Sequence, residues 1–317
     1  VLTFEAIKEK AFQLGWDDVG IAPAIIPEDD IRAYKKWIAE NSHAGLHYME
    51  NDLRCYPEKL FPGAKTAIIF VTYYKQEKLP FKDNAGMVAS YARGRDYHHV
   101  HRKRLKKFIA WMEDTTGLKD IAKGFSDSTP VMEKALAVQA GLGWFGKNTL
   151  LIHRKFGTFT LLSGIFTSLD ISGTQTYLRL PRCGSCTKCL DACPTQAIQP
   201  YHLDAVKCLS YQLIESKNPI PDEIRKKNPG YAFGCDICQD ACPHNVRKKE
   251  THQQDFSPNK GIGGYIDQQL LLELEATPEK LYGTPLQRRG VEGLKHTLSP
   301  ENRDKALIAN NLEQKCE

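Results

Sequence analysis

Residues 183–195 read CGSCTKCLDACPT, and residues 235–243 read CDICQDACP. The first arm spaces its thiols C-x2-C-x2-C-x3-C-P. The second, with Cys208 ahead of it, closes with C-x2-C-x3-C-P. A [4Fe–4S] cube needs thiolates converging on a volume a few ångströms wide. Two-residue gaps let one turn wrap three of them, and a three-residue gap starts a helix that points the fourth thiol at a second cube. The interleaving gives one cluster Cys183, Cys186, Cys189 and Cys242, and the other Cys193, Cys208, Cys235 and Cys238. Structural zinc also uses C-x2-C pairs, and eight cysteines suffice for two ions. The Cys-Pro after the x3 gap, present twice, favours iron–sulfur. The second arm departs from the compact pattern, because 26 residues separate Cys208 from Cys235.

Outward from these arms the chain is ordinary. It has 317 residues, 41% hydrophobic and 26% charged, too long for one typical domain and too apolar for a disordered chain. Apolar runs such as 66–71 and 160–166 are far short of the ~18 residues of a membrane span. No secretory signal is visible, and eight of ten cysteines crowd into 183–242, which fits cytoplasmic thiols held by metal better than a disulfide scaffold. Cys55 and Cys316 lie outside the array and read as plain free thiols. The net charge of +5 permits a polyanionic partner.

The N-terminal part alternates helical and strand-like segments. Phe4 to Leu14 repeats at helical spacing and stops at Gly15; 18–22 reads as a strand and 27–38 as a helix. KTAIIFVTYY, 65–74, is the strongest strand signal. Residues 97–114 and 130–140 read as helices, 149–152 and 158–166 as strands. The fold class is α/β: a mixed sheet with flanking helices over 1–175, a linker at 171–182, a cysteine-rich domain over 176–250 and a helical segment over 251–317, with helices expected at 268–275 and 304–312. GLGWFG, 141–146, is not a dinucleotide-binding turn, because a helix precedes it and a strand follows. Asp127, ahead of a helix, reads by default as an N-cap.

Several ordered motifs carry a resemblance. They are Arg54-x-x-Pro57 with Pro62-x-Ala64-Lys65, YARGRDYH (91–98), DSTPVMEKALAVQAGLGWFGKN (127–148), the two cysteine arms, and CLSY (208–211). Over about residues 1–250 the chain resembles the epoxyqueuosine reductases of tRNA queuosine biosynthesis. The resemblance implies a reductive-dehalogenase-like cobalamin domain joined to a ferredoxin-like domain with two [4Fe–4S] clusters. It implies reduction of epoxyqueuosine to queuosine in the anticodon loop of tRNA, a two-electron deoxygenation by cob(I)alamin that the clusters refill. The competing reading is a cobalamin-dependent reductase of a small molecule, dehalogenase-like.

The resemblance makes Asp127 the general acid, replacing the capping reading, and gives cobalamin contacts at Arg54, Asp127, Leu151, Ile152, His153, Leu162, Ser210 and Asp236. A family position often occupied by cysteine is Ala89 here. Asp96-x-His98 has His101 where a cobalt-ligand motif needs glycine, so His98 is not assigned as an axial ligand. His98, His99 and His101 read as a solvated helix face. The resemblance also implies a tRNA stem-loop partner, an external electron donor such as a flavodoxin or ferredoxin system, and a cytoplasmic monomer free of the membrane. Basic runs at 102–107, 225–227, 247–249 and 288–289 are candidates for phosphate contact. TPLQRRGVEGLK, 284–295, resembles the start of the HEAT-like repeats with which family members often continue, here truncated.

Overall fold

The strand signal at 65–74 becomes the centre of a four-stranded sheet. The computed structural model describes residues 2–171, 182–246 and 248–299. Along the first stretch, α1 (Phe4–Gln13) is capped by Thr3, whose side chain accepts the Ala6 N–H. There follow β1 (Asp18–Pro23), α2 (Glu28–Ala39), the single turn α3 (Pro57–Leu60) and β2 (Thr66–Tyr73). Next come β3 (Ala85–Val88), α4 (Tyr97–Thr116), β4 (Ala122–Phe125), α5 (Glu133–Gln139), β5 (Gly143–Phe145), β6 (Leu151–His153) and β7 (Thr160–Thr167). Past the cysteine arm's opening lie α6 (Lys188–Asp191), the two-residue strands β8 (Ile198–Gln199) and β9 (His202–Leu203), α7 (Leu209–Ile214) and α8 (Asp222–Arg225). The chain continues with β10 (Tyr231–Phe233), α9 (Ile237–Asp240), β11 (Tyr265–Asp267), α10 (Gln268–Ala276) and α11 (Gly290–Leu298).

The chain divides into two compact units. The first comprises 1–41, 47–74 and 97–185; the second, 42–46, 75–96 and 186–317. In the first, the strands run β1-β2-β7-β4, every pair antiparallel. All eight residues of β2 are buried. Alternate side chains serve opposite faces: Ala67, Ile69 and Val71 pack with Leu136 and Val138 of α5, while Ile68 and Phe70 pack with Ile7 of α1 and Phe108 and Met112 of α4. That two-sided burial explains why β2 reads as one continuous apolar run.

In the second unit parallel and antiparallel pairing mix: β3 is the middle strand, parallel to β10 and antiparallel to β11. Residues 251–299 are not a separate body. Leu271, Leu274 and Leu294 share one core with Val88 and Phe233. Gly94 of YARGRDYH is required by close approach, since a Cβ there would lie 2.5 Å from the Phe256 carbonyl carbon. The helix expected at 268–275 is α10, whereas the linker at 172–181, the helix expected at 304–312 and Cys316 lie outside the described residues. Cys55 is a buried free thiol.

Candidate active site and cluster-binding arms

Asp127 lies between β4 and α5, in a loop that replaces the first turn of the helix expected from Pro130. The helix begins at Glu133, and Met132 occupies its N-cap, so Asp127 is not the N-cap of α5. Its side chain is exposed. Its φ of +51° is the left-handed region, costly for a residue with a Cβ. Hydrogen bonds on both sides hold it there. Oδ2 accepts from the Tyr97 hydroxyl at 2.7 Å and from His98 Nε2 at 3.0 Å, and the backbone N–H donates to Glu133 Oε1 at 2.7 Å. Tyr97 and His98, stacked at 4.1 Å between centroids, both project from the first turn of α4. A carboxylate only accepts, so the His98 proton sits on Nε2.

The solvated face expected of the three histidines is corrected by these bonds. His101 is fully buried, with Nε2 3.1 Å from Thr72 Oγ1 and Nδ1 3.0 Å from Ser126 Oγ. It ties α4 to β2 and to the residue preceding Asp127. His98 is a partner of the candidate acid. Only His99 keeps an exposed position on that face.

Glu133 faces Asp127 from the start of α5. Burial, then the Asp127 charge, pushes its carboxyl up to about 8, against the opposing pull of the Asp127 N–H bond and of His98 and Arg54. Sequence reasoning assigned no role to Tyr97, His98 or Glu133, although all three stand in the quoted motifs; the signal was their placement within YARGRDYH and DSTPVMEK.

Of the remaining residues implied to touch cobalamin, Arg54, Leu151, Ile152, His153 and Leu162 belong to the first unit, and Ser210 and Asp236 to the second. Arg54 is buried, donates to the Tyr48 carbonyl at 3.2 Å, and has no hydrogen-bond partner for Nε among the described residues. A buried guanidinium with an orphaned N–H suits a ligand bearing amide or phosphate oxygens. Leu151 and Ile152 are buried on β6. Leu162, on β7, packs at the edge of the core.

Two of these side chains are engaged within the protein. His153 is buried, and its Nδ1 accepts the N–H groups of Lys155 and Phe156, each at 3.2 Å, while Nε2 lies 3.2 Å from Asp18 Oδ2. Asp236 Oδ2 accepts from the Ser90 N–H at 2.7 Å and hydroxyl at 2.8 Å, and Oδ1 from Gln239 at 3.3 Å. Burial raises the Asp236 carboxyl, against the pull of the Ser90 bonds and of Arg93. Ser210 is half-buried in the first turn of α7.

In the second unit α6 packs on α9, bringing the two cysteine arms together. Burial raises the Cys235 and Cys238 thiols well above their ordinary range. The Cys238 and Cys208 charges add to the Cys235 shift, those of Cys208, Cys193 and Cys189 to the Cys238 shift, and that of Cys193 to the Cys208 shift. Thiols that repel one another as thiolates suit a cationic cluster as its donors. Cys193 Sγ also accepts the Ala197 N–H at 3.4 Å. Cys183, Cys186 and Cys189 are half-buried and Cys242 is buried.

The basic runs separate into exposed and engaged members. Arg102, Lys103, Lys106 and Lys107 are exposed on α4, whereas Arg104 donates to the Gly15 carbonyl at 2.8 Å. Arg288 forms a two-pronged pair with Glu215, and Arg289 donates to the Ser216 carbonyl, so the pair expected to meet phosphate stitches the C-terminal helices onto α7. Arg225 pairs with Asp222. Arg247 lies outside the described residues. No helix among the described residues is long and apolar enough to cross a membrane.

Residues 54–128 match the family described as epoxyqueuosine reductase QueG, DUF1730, and residues 182–245 match a 4Fe-4S double cluster binding domain. A curated epoxyqueuosine reductase of Leadbetterella byssophila is 37% identical over 299 residues, covering 92% of this chain and 96% of the relative. The solved epoxyqueuosine reductase of Streptococcus thermophilus superposes with a TM-score of 0.80 at 28% identity, over 91% of this chain and 78% of that one. A crystal structure of an epoxyqueuosine reductase with an epoxyqueuosine-modified tRNA stem loop gives 0.78 at 27% identity, over 92% and 78%. The matched motifs, the double-cluster arm and the near full-length identity together show that this chain belongs to the epoxyqueuosine reductase family.

Proposed function

We propose that this chain reduces epoxyqueuosine to queuosine in the anticodon loop of tRNA, with Asp127 as the general acid. The overall change consumes two electrons and two protons, breaks both carbon–oxygen bonds of the epoxide and yields an alkene and water. Cobalamin, when bound, supplies the strongly reducing centre that an epoxide requires, and two [4Fe–4S] clusters supply its electrons singly. Arg54, with its orphaned Nε, would hold the corrinoid, together with the backbone and apolar surface at 151–153 and Leu162. Cys183, Cys186, Cys189 and Cys242 would hold one cluster, and Cys193, Cys208, Cys235 and Cys238 the other.

The observation that carries the reading is the seat of the Asp127 carboxyl. Tyr97 and His98 both donate to Oδ2. A carboxyl protonated on Oδ1 keeps both bonds and can release its proton to the departing oxygen. Exposed Arg102, Lys103, Lys106 and Lys107 of α4 offer charge for RNA phosphate, and a target base leaves its stack to reach an enzyme's reacting atoms. The reductant is an external donor such as a flavodoxin or ferredoxin system, and the working form is a cytoplasmic monomer.

The test is Asp127→Asn in anaerobically purified, cobalamin-reconstituted enzyme, with queuosine in tRNA measured by nucleoside mass spectrometry. Loss of roughly 10²–10⁴-fold is expected, with corrinoid and iron–sulfur absorbance unchanged. Undiminished turnover removes Asp127 from the reaction; zinc in place of iron, with no corrinoid bound, ends the proposal.

A further inference from the structure

The side-chain end of Asp127 is held by two donors on α4, but the backbone end is held from α5, by a residue with no part in the chemistry above. Glu133 Oε1 accepts the Asp127 N–H at 2.7 Å, six residues back along the chain. That bond spans a loop whose own closures are short turns, Ser128 N–H to the Ser126 carbonyl, which brackets Asp127, and Val131 N–H to the Thr129 carbonyl. A left-handed aspartate persists only where its surroundings over-determine it. We infer that Glu133 is a positioning residue that locks the backbone of Asp127 and so aims the acid, and that without this lock the loop leaves its working conformation. The inference rests on the reading of Asp127 as the acid.

The charges around Glu133 support it. Asp127 repels a second carboxylate, while His98 and Arg54 attract one, and the balance with burial leaves Glu133 largely protonated near neutrality. A neutral carboxyl keeps a carbonyl oxygen to accept the Asp127 N–H without setting a second negative charge beside the acid. Glutamine offers the same acceptor at the same reach. Aspartate offers a carboxyl one methylene short, and alanine offers nothing.

The test compares wild type with Glu133→Gln, Glu133→Asp and Glu133→Ala by two measurements. The first is amide hydrogen exchange across 126–129 in protein without added cofactor or tRNA, with the amides of β2 as internal reference. Glu133→Gln should exchange like wild type, and Glu133→Asp and Glu133→Ala about tenfold faster or more, with β2 unchanged. The second is queuosine formation, where Glu133→Gln should keep kcat and the other two lose about tenfold with KM for tRNA unaltered. Glu133→Asp keeps a carboxyl at the head of α5, so it decides the matter if the alanine variant does not fold. Unchanged exchange in Glu133→Asp, or faster exchange with full kcat, overturns the inference. Wild type that forms no queuosine while exchange responds as expected overturns the reaction and leaves the lock standing.

Discussion

His153 gives its Nε2–H to Asp18 Oδ2 across 3.2 Å, joining the β5–β6 hairpin to the edge strand β1. The same ring accepts two backbone N–H groups at Nδ1, which fixes the tautomer. Burial opposes ionisation of Asp18, but the His153 and Val19 hydrogen bonds outweigh it and hold the carboxyl below its ordinary value.

Replacing His153 with alanine therefore strands two N–H groups and a partly buried carboxylate. A loss of about 2–4 kcal/mol is expected in denaturant unfolding, against about 1 kcal/mol for Asp18→Asn, which keeps an acceptor. The Asp18 contribution is present above pH 3.8 and fades as pH falls through the lower folded value. Equal losses for the two variants would show that the Nδ1 bonds contribute nothing.

Glu133 carries the opposite sign. Its folded pKa of about 8 exceeds the ordinary 4.5, so the folded state binds the extra proton between those values and stability falls as pH rises through that window. Thermal unfolding of wild type should lose stability from about pH 5 to about pH 9 more steeply than that of Glu133→Gln, which cannot titrate there. Parallel curves would remove Glu133 as the source of the slope.

The cysteine interleaving predicts which losses go together. Cys193→Ser should match Cys238→Ser, and Cys242→Ser should match Cys189→Ser, each pair lowering iron from about eight to about four atoms per chain and removing the same paramagnetic signal. If each arm instead holds its own cluster, Cys193→Ser will match Cys189→Ser.

Much of this fold is legible along the chain because its signals are local. β2 is a β-branched run, α4 carries an apolar stripe, and the two cysteine arms announce themselves by spacing. What was hidden depends on partners far away in sequence. His101 sits in a basic, polar stretch, and Thr72 and Ser126, distant in sequence, help make its burial tolerable. Arg288 and Arg289 look like a phosphate site until Glu215 and the Ser216 carbonyl are found opposite them. GLGWFG resolves into a hairpin because Gly143 presses against Ile152, where a Cβ would meet the carbonyl oxygen at 2.2 Å. The reading of Asp127 as the acid came through resemblance, since capping and catalysis look identical when only the letters Asp-Ser-Thr-Pro are read. The Glu133 bond to the Asp127 N–H was missed because a glutamate opening a helix already has an ordinary explanation.

The middle strand of the mixed sheet leaves the ribosome long before either neighbour, for β3 spans 85–88 while β10 and β11 lie at 231–233 and 265–267. Throughout synthesis of the intervening chain, Ala85–Val88 has no ladder to join, and its apolar side chains need shelter by other means. A gene fragment starting at the first cysteine arm would encode both cluster-binding arms without the strand that separates β10 from β11. Such a fragment should come out of cells as aggregate, and supplying the 75–96 peptide in trans is the rational rescue.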